Sequence, residues 1–269
     1  TDFSENCNKA AELGIEMAKL YHAEIHFYHL IHTPVDWVKL DKLKEKRYPK
    51  TLKEIGAAKS ALRELEKRAE KEGLECRTFL EYQVETTKIL KHSGHFHHDF
   101  IITGSSGTKG TARELFGSNV EQIVRKSVVP VIVVKEEEVS FPFKNIVFVS
   151  DFEEDVSEAF KHVISIAKKC NAHIRLLRVN TKTDTNSIEV GLNPIKTFLE
   201  KFPDLKNYSM FVNNEPSVET GINTFLNYEP TDLIAMCTHG STGFLSLFSK
   251  SITEGVANHS ALPVMTIKI

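Results

Sequence analysis

The chain repeats itself, and the repeat sets its architecture. Thr1-Asp2-Phe3 reads against Ser150-Asp151-Phe152, an offset of 149 (150 − 1), and the same offset carries Ala23-Glu24-Ile25 onto Ala172-His173-Ile174 without a gap. Further on, Asp99-Phe100-Ile101-Ile102 matches Asp232-Leu233-Ile234-Ala235 at an offset of 133 (232 − 99). Gly107, Gly110 and Pro130-Val131 match Gly240, Gly243 and Pro263-Val264 at that second offset. The second copy is therefore shortened by 16 residues (149 − 133) in its middle. Repeats of this length are whole domains, not solenoid units. The charged stretch Glu136-Glu137-Glu138 separates them, giving units 1–137 and 141–269.

Each copy alternates helix and strand. Ala10, Leu13, Gly14, Met17, Ala18 and Tyr21 fall on one helical stripe, with Ser4 as a plausible N-cap. An apolar strand follows at Ile25 to Ile31. A long helix then carries Ile55, Ala58, Leu62, Leu65 and Ala69 on one face and ends near Gly73. The run Glu64-Leu65-Glu66-Lys67-Arg68 reads as its solvated face with Leu65 turned inward. Strands at Cys76–Tyr82, Phe100–Ile102 and Val131–Val134 complete the copy, with a helix beginning near Thr86 and another around Val120–Arg125. Apolar strands separated by helices predict an α/β fold: two tandem, doubly wound parallel sheets covered on both faces. Copy two opens with a strand, Asn145 to Val149, ahead of Ser150-Asp151, and nothing corresponds to it ahead of Thr1. A doubly wound sheet places its first strand centrally, so the expectation is a chain that begins late, with about one more strand upstream.

Charge and cysteine usage narrow the partners. With 34 basic and 36 acidic residues the formal net charge is −2, which gives no electrostatic case for a nucleic-acid or membrane-surface partner. The four cysteines, Cys7, Cys76, Cys170 and Cys237, form no CxxC pair, so a structural zinc or disulfide framework is not expected and a reducing compartment is. No apolar run approaches the roughly 20 residues of a membrane span, and no secretory leader opens the listing. A cytoplasmic location is the expectation.

Ligands of open α/β sheets bind at the carboxyl ends of the strands. In copy one that place holds Gly104-Ser105-Ser106-Gly107, then nine residues, then Gly117-Ser118 at a helix start. Glycines let backbone approach a ligand closely, and the N–H groups and dipole of a helix start favour an anion such as phosphate. The spacing is neither G-x-G-x-x-G nor G-x-x-x-x-G-K-[ST]. A tight loop without a ligand is the plainer alternative, and Asp2 and Asp151 read equally well as helix-capping residues.

The pattern Gly104-x2-Gly107-x9-Gly117-Ser118, following a short apolar strand and preceding a helix and Pro130-Val131-Ile132-Val133-Val134, resembles the ATP-binding signature of the universal stress protein family. Thr1-Asp2-Phe3-Ser4 and His29-Leu30 are similar to two further marks of that family. The resemblance implies five-stranded parallel sheets. It also implies pairing of Val131–Val134 with Val264–Ile267, so that one chain imitates the family dimer as an intramolecular pseudo-dimer, with a further homodimer open. ATP or AMP, with or without Mg, would lie across the strand ends. Asp2 would reach the adenosine and Leu30 would line the adenine slot. Thr103, Gly104 and Gly107 would follow the ribose and phosphates, and Gly117, Ser118, Asn119 and Val120 would receive the phosphates.

Copy two departs from the pattern. Asp151, Val179, Gly240 and Ser251 are in place as a possible weak second site, but Cys237 stands for Gly104 and Lys250 for Gly117. A lysine there obstructs the backbone approach, although its charge would attract phosphate. No catalytic base is evident near Lys109 and Arg113, so the function expected is a nucleotide-binding stress regulator, with a slow ATPase or autophosphorylating enzyme and a nucleotide-free interaction module as alternatives. The stretch His92-Ser93-Gly94-His95-Phe96-His97-His98 has metal-like spacing but no cysteine partner, and reads as a solvated helix end rather than a metal site. Trp37 to Pro49 reads as a surface loop with Trp37 tucked down, a partner-binding lid being the alternative. Cys237 reads as a small buried residue, not a redox thiol.

Overall fold

A computed structural model describes residues 1–83, 96–105, 118–135, 139–181, 188–238 and 262–269. Helix α1 (Glu5–Tyr21) begins where the Ser4 hydroxyl accepts the Cys7 N–H, and ends at His22, which turns into the left-handed region at φ 54°. Its buried stripe runs Cys7, Ala10, Ala11, Leu13, Gly14, Ile15, Met17 and Ala18. The second copy repeats these devices. Helix α5 (Ser157–Cys170) ends at Asn171 with φ 53°, 149 residues beyond His22. Phe3 and Phe152, the same distance apart, both sit at positive φ, 63° and 59°. Such values are costly for bulky residues, so their recurrence marks a loop both copies must build.

Strand β1 (Ile25–His32) pairs in parallel with β2 (Cys76–Gln83), and these two make a sheet of their own. Between them in sequence run a 3-10 turn (Trp37–Lys39), the short α2 (Lys42–Glu45) and the long α3 (Pro49–Lys71). Trp37 is buried against Tyr48 and Tyr82, and Leu65 is buried, as the sequence led us to expect. Next come β3 (Ile101–Gly104), α4 (Ser118–Lys126) and β4 (Val131–Val134). The second copy supplies β5 (Asn145–Val149), α5, β6 (His173–Asn180), α6 (Ile188–Leu199), β7 (Tyr208–Asn214), α7 (Val218–Tyr228), β8 (Leu233–Thr238) and β9 (Val264–Lys268).

Seven strands form the larger sheet, in the order β3-β4-β9-β8-β5-β6-β7. Every pairing in it is parallel except β4 with β9, where Val131 faces Thr266 and Val133 faces Val264. Expectation and structure part here. Two five-stranded sheets were expected, whereas the described residues form one of seven strands and one of two. The physical reason is local. The second copy carries a full set, β9-β8-β5-β6-β7, with β5 in parallel contact on both sides. In the first copy no ladder joins β1 to β3 among the described residues, so its strands fall into two pairs, and β4 annexes the second pair to the neighbouring sheet.

The main core follows the seven-stranded sheet. Ala10, Leu13 and Met17 of α1 and Ile132 and Val134 of β4 pack in one cluster with Ile146 and Phe148 of β5 and Phe160, Val163 and Ile166 of α5. Phe148 and Phe160 are fully buried with ring centroids 5.0 Å apart. Each such side chain contributes roughly 1.5–3 kcal/mol by leaving water. A separate, smaller cluster holds β1 to α3 through Phe27, Leu62, Leu65 and Ala69.

Candidate functional site at the carboxyl strand ends

The loop before α1 is built from its own side chains. The Phe3 N–H donates to the Thr1 hydroxyl at 3.0 Å and the Ser4 N–H to Asp2 Oδ1 at 2.9 Å. Asp2 is therefore a turn acceptor within the loop and not the cap of α1, a role that Ser4 takes, and its carboxylate stays exposed. At the head of the loop the Thr1 N–H group donates to the Tyr28 carbonyl at 2.8 Å. His29 Nδ1 lies 2.7 Å from the Thr1 carbonyl, which can only accept, so Nδ1 carries the proton. The rings of Phe3 and His29 meet at 4.4 Å. Burial pulls the His29 pKa below its ordinary 6.5, against the bond to Thr1, which raises it.

The other end of the loop reaches β3. The Asn6 amide, in the first turn of α1, donates to the Ser105 carbonyl at 2.8 Å and to its hydroxyl at 3.3 Å. The Ser105 N–H donates to the Val134 carbonyl at 2.7 Å. Residues 1–6 therefore tie the middle of β1 to the residue that follows β3. They bring Asp2, the half-buried Leu30 beside His29, and Thr103-Gly104 to one edge. Gly104 is needed there for packing. A Cβ on it would lie 2.4 Å from the Cys7 nitrogen and 2.5 Å from the Asn6 carbonyl carbon. The start of α1 is seated on this glycine, so a side chain would have to push backbone aside.

Helix α4 starts at Ser118, which puts the backbone of Ser118, Asn119 and Val120 in its first turn, where N–H groups have no partner within the helix. The Val120 side chain turns away into the core with Val131 and Val133. Gly107 and Gly117 lie outside the described residues, as do Gly240 and Ser251 of the second copy and Lys250 beside them.

The second copy rebuilds the same loop. The Phe152 N–H donates to the Ser150 hydroxyl at 3.1 Å, the Glu153 N–H to Asp151 Oδ1 at 3.1 Å, and the Ser150 N–H to the Leu177 carbonyl at 3.2 Å. Its surroundings differ. Arg178 stands where His29 stands in the first copy and donates to Glu153 Oε1 at 2.8 Å. Val179, the counterpart of Leu30, is covered by α7: a Cβ on Gly221 would come within 2.4 Å of its side chain. Cys237 is half-buried and its thiol is pushed up to about 12, by burial first and then by Asp151 and Glu154. A thiol so disposed is not a nucleophile at neutral pH, which agrees with the packing reading.

Sequence reasoning missed Asn6 and Lys135, and named Ser105 and His29 only as members of motifs, without the contacts they make. An asparagine inside a first helical turn looks like any polar surface residue until its partner across the sheet is known. Lys135, the residue after β4, is buried, and desolvation lowers its pKa to about 8. As one lysine among 34 basic residues it carried no signal. Of the histidine stretch, His92 and His95 lie outside the described residues. His98 Nε2 meets His26 Nδ1 at 2.9 Å, and His26 Nε2 meets Glu24 Oε1 at 2.9 Å. Among the described residues no three His, Cys, Asp or Glu side chains are placed to hold a metal ion.

The fold is that of a recognised class. The universal stress protein family profile matches residues 1–135, half of the chain, and the chain belongs to that family. A universal stress protein of Methanocaldococcus jannaschii is 28% identical over 144 residues, covering 51% of this chain and 79% of that one. The crystal structure of a universal stress protein from Archaeoglobus fulgidus superposes over 100% of this chain and 94% of its own, with a TM-score of 0.71 and 21% identity. A protein of unknown function from Pseudomonas aeruginosa matches 96% of the chain and 86% of its own at a TM-score of 0.62 and 12% identity. The two structural likenesses span both copies.

Proposed function

We propose that the chain binds an adenine nucleotide, ATP or AMP, at the strand ends of its first copy, and that occupancy of this site makes it a regulator in a stress response. The observation that carries the reading is the tie of residues 1–6 to both Tyr28 and Ser105. It sets Asp2, Leu30 and Thr103-Gly104 at one edge, next to a sequence whose glycines resume at the start of α4. In this reading Asp2 and Leu30 hold the nucleoside, Thr103, Gly104 and Gly107 follow the ribose and phosphates, and Gly117, Ser118, Asn119 and Val120 give the phosphates their backbone donors. Mg, where it accompanies the nucleotide, would sit on the phosphate oxygens and supply charge neutralisation; Asp2 and Thr103 are the oxygen ligands nearest to hand.

The same proposal takes 1–137 and 141–269 as two units of one family fold, joined through β4 and β9 as a pseudo-dimer within the chain. It takes the second copy as a weak or absent nucleotide site around Asp151, Val179, Gly240 and Ser251, because α7 covers Val179 and Cys237 replaces Gly104. No helix among the described residues is long and apolar enough to cross a membrane, and the chain is near neutral in charge, so we place it in the cytoplasm without a membrane or nucleic-acid partner.

Isothermal titration of ATP and of AMP into the chain, beside Gly117→Lys, tests the reading. One site per chain, lost in the variant, is the expected result. Two equal sites would overturn the assignment to the first copy, and no binding of either nucleotide would overturn the function.

A further inference from the structure

The 16-residue difference between the copies lies in one connection: 43 residues (33–75) run from β1 to β2, but only 27 (181–207) from β6 to β7, and 43 − 27 = 16. The longer connection lies against β2, where Trp37, Leu40 and Tyr48 pack with Leu80 and Tyr82. Strand β2 also carries two charged residues, Arg77 and Glu81, and Arg77 pairs with Glu24 at 2.6 Å. Sheets commonly guard an edge strand in these two ways, by packing other chain against it and by charging it. Its counterpart β7 has neither guard. It is an edge of the seven-stranded sheet, its seven residues Tyr208–Asn214 include no charge, and among the described residues no strand pairs with its outer side. The register shows which backbone groups face outward. The Asn207 carbonyl accepts the Ile174 N–H and the Glu215 N–H donates to the Asn180 carbonyl, both at 3.0 Å. Alternate residues of a parallel strand bond the same neighbour. Residues 207, 209, 211, 213 and 215 therefore face β6, while Tyr208, Met210, Val212 and Asn214 turn their N–H and C=O groups outward.

We propose that β7 joins two copies of this chain edge to edge, antiparallel, about a twofold axis at Phe211. The outward set is its own complement. Turned about Phe211, Tyr208 meets the partner's Asn214 and Met210 meets the partner's Val212, each pair exchanging N–H and C=O. The half-buried side chains of Met210 and Val212, which pack on the main core, then cover one another across the new ladder. Just outside the strand, Asn207 stands opposite the partner's Glu215, which brings the exposed Lys206 beside that carboxylate. These matched ends favour a second copy over an unrelated extended peptide. Strand β7 is the opposite edge of the sheet from β3, so the proposal does not rest on nucleotide binding.

Sedimentation equilibrium of the chain, with hydrogen exchange at low and high concentration, tests this interface. A species of twice the mass of one chain is expected at about 100 µM, dissociating on dilution. The amides of Met210 and Val212 exchange slowly in the dimer and quickly in the monomer, whereas those of Ser209, Phe211 and Asn213 are protected in both. Val212→Pro removes one outward N–H and leaves the ladder to β6 in place, so it is expected to raise the dimer dissociation constant at least about tenfold. Lys206→Glu is expected to raise it about two- to fivefold, and adding Glu215→Lys to restore it. This charge exchange decides the matter if circular dichroism shows that Val212→Pro does not fold. Weakening by either change, together with the alternating amide pattern, supports the interface. A monomer at every concentration up to about 100 µM overturns it. So does a dimer whose Met210 and Val212 amides exchange as in the monomer, or one that neither change weakens.

Discussion

The two copies solve one problem with different means. Both build the loop ahead of their first helix from the same hydrogen bonds, Phe3 to Thr1 and Ser4 to Asp2 in one, Phe152 to Ser150 and Glu153 to Asp151 in the other. Beneath that loop the first copy puts a partly buried imidazole, His29, and the second an arginine paired with a glutamate, Arg178 with Glu153. In the second copy the loop follows β5, which lies in parallel contact with a strand on each side. Stability and ligand capacity have separated along the chain: the second copy holds the larger share of the core, the first the glycine-rich edge.

The sharpest way to break that comparison is to cut one core side chain in each copy. Phe148→Ala removes a fully buried ring from β5 and is expected to cost about 3–5 kcal/mol in urea unfolding. Phe27→Ala is expected to cost at least about 1 kcal/mol less, because Phe27 packs in a smaller cluster than Phe148 does. Equal losses would show that the copies are equally well packed and would remove the asymmetry argued above.

A smaller effect comes from exchanging the residue that differs where β3 and β8 end. Gly104→Cys gives the first copy the residue of the second. The added Cβ meets the Asn6 and Cys7 backbone, so a loss of about 1–3 kcal/mol by overpacking is expected, with ATP affinity falling alongside. The reverse change, Cys237→Gly, is expected to cost about 0.5–1 kcal/mol through chain entropy, without creating a second ATP site in titration. If Gly104→Cys left stability unchanged, the seat of α1 on that glycine would not be a constraint.

Elements whose signal is local were legible in the sequence. The α1 stripe with Ser4 as its cap, the inward Leu65 and the tucked Trp37 all follow from periodicity or from side chains bonding a few residues away, whereas Asp2 and Asp151, read as helix caps, accept within the loops instead. The antiparallel meeting of Val131–Val134 with Val264–Ile267 was reached through the family resemblance, and no rule of pattern would have found it. The α/β class with parallel sheets was legible, while the division into two five-stranded sheets, taken from the family, is not what the described residues form. Asn6 and Ser105 are 99 residues apart, and nothing in either residue's neighbourhood announces the other. The burial of Lys135 is a tertiary fact of the same kind.

The finest test of the difference between the copies is its pH dependence. His29 is held neutral by burial, with a folded pKa below its ordinary 6.5. As pH falls through 6.5 the unfolded chain takes up a proton that the folded chain still refuses, so the unfolded state binds more protons and stability declines. The contribution is present in full above 6.5 and is lost progressively down to the folded pKa, below which both states are protonated. His29→Gln keeps a donor for the Thr1 carbonyl but cannot titrate. Melting temperatures measured from pH 7.5 to pH 5 are therefore expected to fall less steeply in His29→Gln than in the unaltered chain. In the second copy Arg178, bonded to Glu153, occupies the place of this imidazole. Parallel curves would show that the imidazole is as freely charged in the folded state as in water. The contrast between a titratable and a permanently charged residue beneath the two loops would then have no thermodynamic consequence.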